Sequence, residues 1–153
     1  MEKKIAYECR HAEEISGEDA SLLLHASRAA DAAYAPYSGF AVGAAVLLGN
    51  GEVVSGSNQE NAAFGAGTCA ERVALYSAAS LFPDTSVKAI AIAGTGKHRL
   101  SPCGVCRQVL AEFEFRQQEP IRILFFWNEG HVISLTGIDA LLPFAFSSGS
   151  LKL

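Results

Sequence analysis

Three cysteines and one glutamate, carried on two short motifs, constrain this chain more than any other feature of its 153 residues. The first motif is Cys69-Ala-Glu71 and the second is Pro102-Cys103-Gly-Val-Cys106. Three thiols that converge offer soft ligands of the kind that suit Zn²⁺, and a three-ligand set leaves one coordination position for water. Glu71, two residues from Cys69, is then placed to carry protons to and from that water. Any fold adopted by this sequence has to bring the two motifs together.

The residues around the motifs place both at helix starts. Thr68 opens a predicted helix that runs to about Leu81. Ser101 can cap a second helix that extends to about Phe115, with Pro102 at the first helical position, where its missing N–H costs nothing. Cys103 and Cys106, three residues apart, share one face of that helix. Helix N-termini lower thiol pKa values and present unpaired N–H groups to thiolates. Three thiolates on Zn²⁺ leave a net charge of about −1, which Arg72 can offset by approaching the sulfurs. Other readings of the same residues stay open. Thr68-Cys-Ala-Glu71 also fits a capping box. Cys103-Gly-Val-Cys106 fits a dithiol redox pair. Cys9 or His98 could close a four-ligand structural zinc site.

Bulk properties narrow the setting. The length suits one domain, burying about two-thirds of the unfolded chain's surface. A net charge of −4 with no basic stripe argues against a nucleic-acid polymer as partner. The N-terminus lacks the apolar core of a signal peptide, and the longest apolar stretch, around Phe40 to Leu48, is too short to span a bilayer. Four cysteines without a secretion signal favour metal or redox chemistry over structural disulfides. The expectation is a soluble cytoplasmic protein with no membrane partner.

Residues 1–15 are charged and aperiodic and read as an N-terminal arm, with a single domain over 16–153. Ser16 can cap a helix carrying Leu22, Leu23, Ala26, Ala30 and Ala33 on one face, with Glu18 and Asp19 in its first turn. Val42 to Leu48 and Glu52 to Ser57 read as a hairpin around Asn50-Gly51. Val87 to Ala93, Ile121 to Trp127 and His131 to Leu135 read as three further strands, followed by a short helix near Ile138. A hairpin followed by strand–helix alternation predicts a mixed five-stranded sheet in a three-layer α/β/α sandwich.

The flanked motifs, Cys69-Ala-Glu-Arg72 and Ser101-Pro-Cys-Gly-Val-Cys-Arg-Gln108, together resemble the small tetrameric cytidine deaminases of the three-cysteine type. Tyr34-Ala-Pro-Tyr-Ser-Gly-Phe40-Ala-Val-Gly43, Asn58-Gln-Glu60-Asn61-Ala62 and Leu141-Leu-Pro-Phe-Ala-Phe146 extend the resemblance from about Ala20 to Leu151. It implies one Zn²⁺ per chain on Cys69, Cys103 and Cys106, with Glu71 catalytic and Arg72 supporting the sulfurs. It implies ribose contacts from Asn58 and Glu60, and backbone contacts to the base from Ala62 and Ala70. Phe40, and Phe146 from a neighbouring subunit, become the aromatic walls, in a homotetramer. The implied reaction is hydrolytic deamination of cytidine and 2′-deoxycytidine to the uridines with release of ammonia, as in pyrimidine salvage. Rivals of the same fold act on an aminonucleoside antibiotic, a cytidylate or a free base. Rivals of another kind are a zinc-stabilised scaffold and a dithiol oxidoreductase. Two residues depart from the family pattern: Phe64 stands in place of the usual tyrosine, and Phe144 in place of a small residue. His11, His25 and His131 have no partner spacing.

Overall fold

The computed structural model describes residues 2, 4–95, 99–128, 130–147, 149 and 151. His98, one of the two residues considered above as a closing ligand, lies outside them. Ser16 stands at the N-cap of helix α1 (Gly17–Ala30), although its side chain makes no capping bond. The hairpin follows as β2 (Val42–Leu48) and β3 (Val53–Ser57), after a first strand β1 (Glu8–His11). Helix α2 (Ala70–Leu81), strand β4 (Val87–Gly94) and helix α3 (Gly104–Gln117) come next. Strands β5 (Arg122–Asn128) and β6 (His131–Thr136) and a 3-10 turn at Ile138–Ala140 complete the order. None of these helices is long and apolar enough to cross a membrane.

The sheet has six strands rather than the expected five, in the order β1-β6-β5-β4-β2-β3. The extra strand comes from the segment read as an irregular arm: Glu8 to His11 pair antiparallel with Ser134 to His131. Its residues sit at the sheet edge and are mostly exposed. Backbone pairing with little burial leaves no hydrophobic alternation in the sequence.

Strand alternation then sorts the side chains into two layers. Ala44, Val46 and Leu48 of β2, with Ile90 and Ile92 of β4 and Ile123 and Phe125 of β5, pack under α2 and α3. Ala45, Leu47, Ala89, Ala91, Ala93 and Leu124 face the other way, against Leu22, Leu23 and Ala26 of α1. Helices therefore cover both faces, in the expected α/β/α sandwich.

The α1 face is lined by small residues, and the helix lies correspondingly close. A Cβ on Gly43 would stand 2.1 Å from the Ala26 carbonyl oxygen and 2.4 Å from the Ala30 nitrogen. Those neighbours are helix backbone and have no flexible end to move aside. Gly43→Ala is therefore expected to cost at least ~1–3 kcal/mol, the usual penalty of overpacking a tight interface. A urea midpoint unchanged from that of the parent protein would show that α1 is free to shift.

Candidate metal centre and pocket

Strand direction decides where the cysteines meet. β3 and β4 are both antiparallel to β2, which lies between them, so they run the same way. The helices that follow them, α2 and α3, therefore begin at the same edge of the sheet. β4 and β5 are parallel neighbours joined by α3, as a helical crossover requires. Cys69 and Cys103 are the N-cap residues of α2 and α3.

The expected caps were Thr68 and Ser101, and local hydrogen bonding explains the difference. Thr68 exchanges backbone bonds of 2.9 Å in both directions with Gln59, which holds it extended. Ser101 and Pro102 remain outside α3. Arg107 in its first turn donates to the Pro102 carbonyl at 2.7 Å and to Ser101 Oγ at 2.8 Å. Neither cysteine spends its sulfur on capping. The capping-box reading of Glu71 falls with the same shift, because Thr68 is not the cap.

The Cys69 and Cys103 sulfurs lie 3.8 Å apart, those of Cys103 and Cys106 3.5 Å, and all three lie within 4.8 Å of one another. Thiolates held tetrahedrally at about 2.3 Å from one zinc would be ~3.8 Å apart, so the donor set fits the ion. Cys9 lies on the edge strand β1 and is not one of this cluster. Arg72 Nη2 approaches Cys69 Sγ at 3.9 Å, while its Nε is buried without a hydrogen-bond partner. That cation leans on the sulfurs, as expected for a residue that offsets their charge.

Protons are unevenly shared in this cluster. The Cys69 thiol is pulled down to about 5, first by the hydrogen bond from Cys106, with Arg72 and Cys103 adding to it. Cys106 is pushed up, first by that same bond and then by burial. A divalent cation relieves the competition, since metal binding displaces thiol protons. Glu71 is only 4 % exposed. Burial lifts its carboxyl to about 7, and the negative Cys69 adds to the rise.

A pocket of about 510 Å³ opens beside Cys69 and Arg72, a size typical of small-molecule sites. Asn58, Glu60, Phe64 and Tyr37 also line it. The Asn58 side chain accepts from Val42 N at 2.8 Å and donates to the Phe40 carbonyl at 2.9 Å. The Glu60 carboxylate accepts from Tyr37 N at 2.9 Å, from Ser38 N at 3.2 Å and from Ser38 Oγ. These bonds hold its pKa below the usual carboxylate value, the Ser38 hydroxyl contributing most. Phe64 is almost fully exposed and meets Tyr37 edge to face, with ring centroids 6.4 Å apart.

Other expected contact residues stand outside this lining. Ala70 is fully buried in the core, and Phe40 is half-buried against it. Ala62 is exposed. Phe146 is exposed, with its carbonyl accepting from Gln108 Nε2 at 2.7 Å. The unassigned histidines gain a local explanation in part. His11 Nδ1 accepts from Glu13 N in a small capping box, and its ring meets that of His131 edge to face. Tyr37, Ser38 and Arg107 escaped the site reading of the sequence. Their spacing to Glu60 and Leu141 is long, and no local pattern points across it.

The model of the cytidine and deoxycytidylate deaminase zinc-binding region matches residues 16–118. A cytidine deaminase of Halalkalibacterium halodurans is 40% identical over 127 residues, spanning 83% of this chain and 92% of the relative. One of Sporosarcina psychrophila is 40% identical over 131 residues, 86% of this chain and 93% of the relative. The crystal structure of a cytidine deaminase from Burkholderia pseudomallei superposes with a TM-score of 0.71 at 39% identity, covering 82% of this chain and 97% of that one. The site implies a plain outcome for metal analysis. Elemental analysis should find about one zinc per chain, retained in Cys9→Ala and lost in Cys106→Ala. Loss of zinc from Cys9→Ala would instead indicate a closed, four-sulfur site.

Proposed function

The chain belongs to the cytidine and deoxycytidylate deaminase zinc-binding family, and from that premise we infer that it hydrolyses cytidine and 2′-deoxycytidine to uridine and 2′-deoxyuridine with release of ammonia. The observation that carries this reading is Glu71, a buried carboxyl at the start of α2, next to a three-thiol cluster that borders an open pocket. A structural zinc site has no use for such a group, and a redox dithiol has no use for the third cysteine.

The metal ligands are Cys69, Cys103 and Cys106. Zinc held by them supplies a Lewis acid that makes water a competent nucleophile near neutral pH. Glu71 takes one proton from the attacking water and gives it to ring N3, then takes the second from the new C4 hydroxyl and gives it to the departing amine, so that the C4–O bond replaces the C4–N bond. A carboxyl raised to about 7 is matched to giving and taking protons near neutrality. Arg72 offsets the excess charge of the thiolates.

Asn58 and Glu60 hold the sugar in this reading. Their remaining capacity supports it. Asn58 keeps one N–H and one lone pair after bonding Val42 and Phe40. Glu60 has about one acceptor position left after three bonds. An amide donor beside a carboxylate acceptor suits an alcohol and favours a nucleoside over a free base. Ala62 and Ala70 contact the base through backbone, with Phe40 and a neighbouring subunit's Phe146 as its aromatic walls. Phe146, exposed and outside the lining of this chain's own pocket, suits a homotetramer in which adjacent chains complete each site. Residues 16–153 form the catalytic unit, and 1–15 are an extension carrying β1. Three reduced thiols suit the cytoplasm.

Glu71→Gln should fold and retain zinc, since an amide of the same shape replaces a group that holds no metal. Turnover of cytidine, followed by ultraviolet absorbance, should fall by ~10²–10⁴-fold or more. Free cytosine should be a poor substrate of the parent protein. Near-normal turnover in zinc-loaded Glu71→Gln would contradict the mechanism.

A further inference from the structure

The turn after α1 lines the pocket with Tyr37 and Ser38, and the side chain that grips Glu60 is that of Ser38. Its hydroxyl donates to Glu60 Oε1 and accepts from Phe40 N at 3.0 Å. The other Glu60 oxygen, Oε2, is held by the backbone N–H groups of Tyr37 and Ser38. The turn itself has independent support. Gly39 N donates to the Ala35 carbonyl at 3.0 Å, and Gly39 takes a φ of +67°, which glycine adopts without strain. The main chain therefore fixes Oε2, whereas Oε1 has Ser38 Oγ as its one partner among the described residues.

We propose that Ser38 is a positioning residue for sugar recognition, holding Glu60 Oε1 in the orientation from which it accepts a hydrogen bond from a sugar hydroxyl. This rests on the reading of Glu60 as a sugar contact given above. A carboxylate with one anchored oxygen can turn about that anchor, and each substrate would have to arrest the motion on binding. The Ser38 hydroxyl removes that cost in advance, which is the general advantage of a pre-organised site. Ser38 spends its single proton on Glu60, so it acts through that residue and not as a donor to substrate. The same hydroxyl ties down Phe40 N.

The test is a double-mutant cycle of Ser38→Ala, Glu60→Gln and the pair, assayed on cytidine and on 2′,3′-dideoxycytidine, which lacks both secondary hydroxyls. Ser38→Ala should lower kcat/KM for cytidine by about three- to tenfold, chiefly through KM, the scale of one hydrogen bond's net contribution. It should leave the dideoxy substrate unchanged, and its effect should vanish in the Glu60→Gln background. Ser38→Thr keeps the hydroxyl and should restore the preference for cytidine. Equal losses on both substrates, or a Ser38→Ala effect that persists in Glu60→Gln, would overturn the proposal and leave Ser38 a packing residue. If Glu60→Gln alone affects cytidine and the dideoxy compound equally, the sugar assignment of Glu60 fails first, and the role of Ser38 falls with it.

Discussion

The common direction of β3 and β4 is the constraint on which the rest depends. Because both are antiparallel to β2, the helices that follow them start at one edge of the sheet. Two cap positions, Cys69 and Cys103, are thereby brought to 3.8 Å across 34 residues of sequence. Cys106 follows one turn into α3 and is fully buried. Three sulfurs at this spacing, with a buried carboxyl beside them, form an unfavourable arrangement for a metal-free protein. A cation and the nearby Arg72 resolve it. The core stabilises the sheet, and the sheet in turn holds the ligands, so ligand geometry follows from strand order.

A second layer of order shapes the approach to this centre. The segment from Asn58 to Thr68 would otherwise be a mobile polar loop. Tyr34 receives a bond from Glu60 N and donates one to the Asn58 carbonyl, while Gln59 pairs with Thr68 on the opposite side. Two isolated β-bridges, Tyr34 with Gln59 and Gln59 with Thr68, thus order the loop. The Asn58 and Glu60 side chains are braced from the Tyr37–Val42 segment, which ties α1 to the pocket. Polar groups ordered before a ligand arrives lower the entropic cost of binding it.

Much of this was legible in the sequence, for physical reasons that differ by element. The alternating faces of β2 and β4 and the spacing of Leu22, Leu23, Ala26 and Ala30 carry a burial pattern that periodicity reveals. The cysteines and Glu71 were legible because metal chemistry demands particular residue types at short spacing. Strand β1 was not, because Glu8 to His11 gain backbone bonds with little side-chain burial. The two helix starts were misplaced by one or two residues, since Thr68 and Ser101 are good caps in isolation but are engaged by Gln59 and Arg107, leaving the cap positions to Cys69 and Cys103. Ser38 was invisible as a site residue because its partner, Glu60, lies 22 residues away. Phe40 and Ala70 read as core by residue type, and the structure packs Phe40 against it and Ala70 within it, so only the family resemblance pointed to them as contacts.

The central claim is that three sulfurs, and no fourth protein ligand, hold the metal. Zinc K-edge X-ray absorption on the zinc-loaded parent protein tests it most directly. The account predicts three sulfur neighbours at about 2.3 Å and one light atom at about 2.0 Å, without the multiple scattering of an imidazole ring. Four sulfurs, or three sulfurs with a histidine ring, would contradict it and would mean a closed structural site.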